Sequence, residues 1–472
     1  MKPREKNANY LYLALPVLGI VFLLWYVVKA GADVVYSDYI RLIDSYLPDV
    51  KDLSAMLTPD ILTRIPATYI QRIINVESFS YSVLYDRICT LAGIALMAGT
   101  LCWFALRRRI HPLYYLAVMV VLFSLIKWEV LMNGTCWIHM VAIGLFFVNY
   151  AVFDEIWQGE ASGMTELIAC ILPLLWLLFA GEYIASYCAT MILLSGYGVL
   201  TGGGVKVVGR KVQQVFIRIL VMTVLALALY MLSRSYTVWE HAGTTEMTLP
   251  ELMEFAPSFL PKLFIKSFAG AAVGQETIMN FAGGKPLPDF TVLLLGFLMV
   301  LAYLVAFYLY FVSELTEKTV FPLCLLISGF LNHGLVTVGR WIFLNENYGL
   351  SSRYAGQFMI GLIGLILTAA VYKKPKFNYR GRSHAKLRRI LQGYLIAMIC
   401  VAVAGNIYTS WQEIRKMPYR RANYEHMAEV VLDYTSYSGE EICRTLEWNK
   451  DPQTALHALG ILKDNRLNVF SR

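Results

Sequence analysis

Long apolar runs separated by short charged segments dominate this chain. Residues 113–126 and 290–312 contain no Asp, Glu, Lys or Arg. A bilayer is crossed by a helix of about 20 apolar residues. Runs of that kind recur at 10–30, 88–106, 112–131, 138–153, 165–180, 185–200, 215–232, 290–312, 320–338, 354–372 and 390–408. Strands of a membrane barrel would alternate polar and apolar residues, and these runs do not. The pattern predicts an all-α, polytopic transmembrane helical bundle of about 11 spans. It divides into a helical domain over 1–410 and a polar tail over 411–472.

Two interruptions are long, 31–87 and 233–289. Within the first, Tyr39, Leu42, Ile43 and Tyr46 recur at helical spacing, as do Ile61, Ile65 and Tyr69. That spacing predicts amphipathic helices lying on the membrane surface. Residues 257–280 carry Lys262 and Lys266 around a Gly/Ala-rich centre, which predicts an interfacial or re-entrant helix instead of a further span.

Charge orients the bundle. Lys2, Arg4 and Lys6, then Arg107-Arg108-Arg109, then Lys206, Arg210 and Lys211, and finally the basic loop 373–389 all fall on one side when the spans are counted. Basic loops stay cytoplasmic, so the N-terminus is expected inside and the tail outside. Residues 154–163 are inside by parity yet hold no Lys or Arg. The net charge of +8 is concentrated in these loops, as topology determinants are, and does not imply nucleic acid as a partner. Only 16% of residues are charged, against roughly 25% in soluble chains. The eight cysteines are scattered and form no CxxC pair. Gly202-Gly203-Gly204 lacks phosphate-loop spacing, and no HExxH is present.

Three groups of residues carry candidate chemistry. Asp33 and Asp38 follow the first span. A carboxylate at a helix mouth serves as a general base or a ligand for a divalent cation; the other reading is that Ser37 or Asp38 caps the next helix. Lys127 and Glu129 end the third span, with His139 just into the fourth. Ionisable groups at membrane depth suggest function by default, while Lys127 could also snorkel to the interface. Arg340 and Arg353 flank a short outer loop, where two guanidiniums make a phosphate clamp. The alternative is interface anchoring beside Trp341 and Tyr354.

The layout resembles the C-type membrane glycosyltransferases, with a cytoplasmic N-terminus, 11 to 13 spans and an acidic first outer loop. More narrowly, Phe123-Ser-Leu-Ile-Lys-Trp-Glu-Val130, Ser352-Arg353-Tyr354 and Leu467-Asn-Val-Phe470 resemble stretches in a group of polytopic bacterial envelope proteins. Lys127 stands where that group has Gln, and Val130 where it has Asn. The adjacent acidic pair usual in the glycosyltransferases is here the separated Asp33 and Asp38. The resemblance implies a protein of the bacterial cytoplasmic membrane. It would transfer a sugar from a polyprenyl-phosphate donor to an envelope acceptor at the outer face. Asp38 or Asp33 would be the base; Arg353, Arg340, Lys127, Glu129 and His139 would line the substrate cavity. A transporter or flippase of lipid-linked glycans and an assembly subunit are the rival expectations. The metal, if any, is left open.

Overall fold

The computed structural model describes residues 3–47, 66–179, 181–203, 210–235, 244–281, 284–372 and 382–471. Lys2, Ile61, Ile65, Lys206 and residues 373–381 of the basic loop lie outside them. Every regular element among the described residues is helical. In chain order these are α1 (Pro3–Ala30), α2 (Asp38–Tyr46), α3 (Pro66–Phe79), α4 (Val83–Arg108), α5 (Pro112–Phe123), α6 (Trp128–Met132), α7 (Trp137–Trp157), α8 (Gly163–Leu175), α9 (Ile184–Thr201) and α10 (Arg210–Ser235). There follow α11 (Leu249–Phe255), α12 (Phe259–Val273), α13 (Gln275–Met279), α14 (Asp289–Val312), α15 (Phe321–Arg340), α16 (Ser352–Val371), α17 (Arg382–Leu432), α18 (Gly439–Thr445) and α19 (Pro452–Asp464).

Ten described helices are long and apolar enough to cross a membrane, which makes this a multi-pass membrane protein. They match the predicted runs except 165–180, where the apolar helix Gly163–Leu178 is shorter. That helix nevertheless leads from one end of the bundle to the other. It leaves the end where Arg107 pairs with Glu160 (2.7 Å) and reaches Tyr183, whose ring lies 4.6 Å from that of His139 at the opposite end.

The first of these ends carries the N-terminus. Arg107 also pairs with Glu155 (3.0 Å), and Arg108 with the fully buried Asp154 (2.7 Å). This accounts for the acidic loop after Phe153: its carboxylates are neutralised by the basic last turn of α4, so it needs no cations of its own. Asp154 also accepts hydrogen bonds from Thr319 Oγ1 (2.7 Å) and the amides of Val320 and Phe321, capping the start of α15.

At the opposite end, α11 to α13 form a run of short helices between α10 and α14. Lys266 of α12 reaches Glu346 (3.1 Å), between α15 and α16, and Asp289 (2.5 Å), the first residue of α14. The Asn406 amide of α17 donates to the carbonyl of Ala272 (3.1 Å). A Cβ at Gly405 would stand 2.5 Å from that same carbonyl, so only glycine lets α12 and α17 approach this closely.

α17 is one helix of 51 residues and runs straight through residue 411. Beyond it, the tail folds back over the segment that follows α1. Ser37 N–H donates to the Leu446 carbonyl (2.7 Å), and His457 Nδ1 lies 2.7 Å from Asp44 Oδ1. Asn468 accepts from Val35 N–H and donates to the carbonyls of Ser80 and Tyr81. Inside this cap, Tyr39, Leu42 and Ile43 are buried on one face of α2, as their spacing predicted. The buried Asp86 carboxylate fixes the underside, accepting from Tyr39 Oη (2.6 Å), Asn75 Nδ2 (2.9 Å) and Gln71. Burial, and next the Asp86 charge, raise the Tyr39 phenol well above its usual range and keep it a donor.

Candidate functional site

Asp38 is the first residue of α2, and Arg353 lies in the first turn of α16. The Ser351 hydroxyl accepts from the Arg353 amide and starts that helix. Arg340 ends α15, and the chain returns through the turn Glu346–Leu350 to α16. These three termini converge with the start of α7 on one pocket. It is lined by Asp38, His139, Arg340 and Arg353, four of the seven residues singled out in the sequence, together with Cys136 and Gln357 among others.

Asp38 Oδ2 and Arg353 Nη1 lie 3.9 Å apart across it. At that distance the carboxylate partly neutralises the guanidinium and competes with any other anion for it, and the contact is loose enough to be opened. Arg340 places its guanidinium 5.5 Å from the Tyr354 ring centroid, which holds it against the pocket wall. Ser37, at the N-cap of α2, makes no side-chain cap bond, and Asp38 is turned to Arg353. The pocket holds about 60 Å³. Ligand pockets for drug-sized molecules begin near roughly 300 Å³, so this one is closed around a space fit for a small group only.

The remaining candidates separate. Glu129 accepts hydrogen bonds from Ser352 Oγ (2.6 Å) and Ser351 Oγ (3.2 Å), so it holds the turn that presents Arg353. Lys127, two residues earlier, faces elsewhere, as i, i+2 spacing on a helix requires. Its buried ammonium donates to the carbonyls of Leu122 (2.6 Å) and Ser124 (2.8 Å) and closes the C-terminus of α5. It is neither an interface anchor nor a lining residue of the pocket. Asp33 is a helix cap: its carboxylate accepts from Ser82 Oγ (2.7 Å) and the amides of Val83 (2.6 Å) and Leu84 (3.3 Å) at the start of α4. The structure thus divides the two aspartates, giving capping to Asp33 and the pocket to Asp38.

Two residues that the sequence reading missed belong here. Gln357 is buried on the pocket and its Oε1 has no hydrogen-bond partner. It lies four residues after Arg353 and so shares its face of α16, a spacing visible in the sequence. Glu447 comes from the tail, in a turn with φ of 55°, next to the Leu446 carbonyl that holds Ser37. Crowding by protein, and then the charge of Glu129, raise its carboxyl above the usual range, while Arg353 and Arg420 oppose the shift. No local pattern announces that contact, because it depends on the tail folding over α2.

Beside the pocket, Arg420 stacks on Trp128, 3.1 Å from the ring centroid. It pairs with the buried Glu413 (2.8 Å) and with Glu276 (3.7 Å), which also meets Lys416. This cluster is already neutralised and fastens α17 to α6 and α13. Among the described residues no group of three or more His, Cys, Asp or Glu side chains is placed to hold a metal ion. Asp38 has a guanidinium for a neighbour, and that donor set does not suit a divalent cation.

No protein-family model, no curated protein and no solved structure matches this chain.

Proposed function

We propose that the protein is a membrane glycosyltransferase that moves a sugar from a polyprenyl-phosphate donor to an envelope acceptor. The carrying observation is the meeting of Asp38 with Arg353, Arg340 and His139 at one pocket, from four separate elements. In this reading the acceptor hydroxyl attacks the anomeric carbon of the sugar. Asp38 takes its proton, and the bond from that carbon to the phosphate oxygen breaks. Arg353 and Arg340 hold the departing phosphate, whose charge grows as the bond breaks. Gln357 Oε1 is an acceptor for a sugar hydroxyl. The donor enters by displacing Asp38 from Arg353 and widening the closed pocket.

A transport path would need its intramembrane charges free to meet a cargo. Lys127 is spent on backbone carbonyls, and His333 is sandwiched between Phe268 (3.6 Å) and Phe358 (4.1 Å) with Nδ1 on Ser267. Transfer chemistry is therefore the preferred reading.

Sidedness is part of the proposal. The Gly163–Leu178 helix, added to the ten longer ones, makes eleven passes. The Arg107–Arg109 end then faces the cytoplasm of a bacterial inner membrane, and the tail and pocket face outward. A reporter active only outside the cytoplasm, fused after Arg472, is expected to be active; activity of a cytoplasm-only reporter there would reverse the topology.

The functional test is the lipid that copurifies. Mass spectrometry of the purified protein is expected to find a polyprenyl phosphate, and Arg353→Lys is expected to lose it. A point charge lacks the two-pronged contact of a guanidinium, and the loss should be about tenfold or more. Retention of the lipid by Arg353→Lys would remove the arginine from the phosphate site.

A further inference from the structure

The last turn of the chain, Leu467-Asn-Val-Phe470, is far in sequence from every residue of the pocket, yet it is hydrogen-bonded to the segment that presents Asp38. Asn468 is 5% exposed and bridges two stretches of backbone. Its Oδ1 accepts from the Val35 amide (3.3 Å), its Nδ2 donates to the Tyr81 carbonyl (3.0 Å), and its own amide donates to the Ser80 carbonyl (2.7 Å). The first stretch connects Asp33 to Asp38, and the second leads into α4. Asn468 has a φ of 53°, in the left-handed region that asparagine adopts more readily than most residues.

The connector 34–37 is short, and Val34, Val35 and Tyr36 are buried in it. The tail takes two of its amides: Val35 N–H goes to Asn468, and Ser37 N–H to the Leu446 carbonyl (2.7 Å). Ser37, the residue before Asp38, has φ 53° and ψ −124° and makes no side-chain cap bond. That conformation is costly for a residue with a Cβ and persists only where the surroundings impose it. Tyr81, whose carbonyl Asn468 holds, sets its ring edge-on to that of Tyr39, with centroids 6.1 Å apart. One carboxamide therefore reaches both neighbours of Asp38, Ser37 by way of Val35 and Tyr39 by way of Tyr81. A third tail contact, His457 Nδ1 to Asp44 Oδ1 (2.7 Å), holds the later part of α2.

From these contacts we infer that Asn468 is a positioning residue for Asp38. The C-terminal turn clamps the connector, so that the carboxylate stays at Arg353 and not where a relaxed Ser37 would carry it. Arg353 is placed by other means, since Ser351 caps its amide and Glu129 holds the hydroxyls of Ser351 and Ser352 at the start of α16. The tail thus sets the side of the pocket that carries the base, and the helical bundle sets the side that carries the guanidinium. The chemical consequence rests on the transfer reading, whereas the mechanical one, an α2 held by the tail, does not.

The test is Asn468→Gly, because glycine keeps the backbone conformation and removes only the carboxamide. Two quantities are read on the full-length protein in detergent: hydrogen exchange of amides 39–47, and steady-state transfer of sugar from a membrane lipid extract. Exchange in α2 is expected to quicken about fivefold or more, the factor of one ordinary hydrogen bond, with α16 unchanged. The kcat is expected to fall about tenfold to a hundredfold with the donor KM within about twofold, because the base is misplaced and the phosphate side is not. Ser162→Ala is the comparison: it removes the N-cap that accepts from Thr165 N–H at the start of α8, lowers the thermal midpoint and should leave kcat alone. If Asn468→Gly does not fold, His457→Ala, at a side chain 66% exposed, should move both quantities in the same directions by about twofold. Faster exchange in α2 with no transfer even by the unaltered protein would support the clamp and remove the transfer reading. Unchanged exchange in α2, or a loss of kcat no larger than that of Ser162→Ala, would overturn the assignment.

Discussion

Asp38→Asn is expected to abolish sugar transfer while leaving the protein folded and its lipid phosphate bound. The amide keeps the shape of the side chain and removes the group that takes the acceptor proton. A positioned base contributes about 10²- to 10⁴-fold, so turnover should fall by that factor. Binding should hold or tighten, because the carboxylate that faces Arg353 at 3.9 Å no longer competes with the phosphate. The matching variant at Asp33 should behave in the opposite way. Asp33→Asn keeps turnover within a few-fold, since Asp33 is occupied with the amides of Val83 and Leu84, and it weakens the start of α4 by about 1 kcal/mol. The check is transfer of radiolabelled sugar from a membrane lipid extract to lipid or glycan acceptors, with a thermal midpoint measured for each variant. Full activity in Asp38→Asn, with loss in Asp33→Asn, would exchange the roles assigned to the two aspartates.

The second large effect is on stability and lies at the other end of the bundle. Asp154→Ala is expected to destabilise the protein by about 3–5 kcal/mol, the range found when one partner of a buried ion pair is removed. Asp154 is fully buried and holds three groups together: Arg108 of α4 at 2.7 Å, the Thr319 hydroxyl at 2.7 Å, and the amides that open α15. Its loss strands a partly buried guanidinium and uncaps a helix that packs along α16. The double variant Asp154→Ala with Arg108→Ala should recover part of the loss, because the stranded charge is gone as well. Unfolding in a graded mixture of mild and denaturing detergent measures both. Asp154→Ala with wild-type stability would show that the α4–α7–α15 contact is not what locks this end.

The passage from sequence to structure succeeded where one physical rule decides the outcome. Apolar runs of bilayer length became helices because nothing else satisfies the backbone in lipid. Residues 257–280 do not add a long apolar helix to the bundle, in line with their lysines, which meet Glu346 and Asp289. The end of the last span was less so. Glu413, Lys416 and Arg420 read as the start of a polar tail, yet Glu413 and Lys416 pair across with Arg420 and Glu276, and the helix continues through them to Leu432. The candidate site divides in the same manner. Arg340 and Arg353 were bound to meet, because a short loop joins their helix ends. Asp33 and Asp38 carried the same local signal, and only the amides of Val83 and Leu84, some fifty residues away, tell them apart. Lys127 and Glu129 are neighbours in the sequence and not in the structure. Their i, i+2 spacing already placed them on different faces, and the structure uses one to close α5 and the other to hold the start of α16.

The central claim is that a lipid phosphate sits between Arg340 and Arg353 with Asp38 beside it. Cryo-electron microscopy of the protein in lipid nanodiscs with added farnesyl phosphate tests this most directly. The account predicts phosphate density within hydrogen-bond distance of both guanidiniums, on the same end of the bundle as the tail, with Asp38 drawn away from Arg353. Density for the phosphate elsewhere, with Asp38 and Arg353 still facing one another across an unchanged pocket, would contradict it.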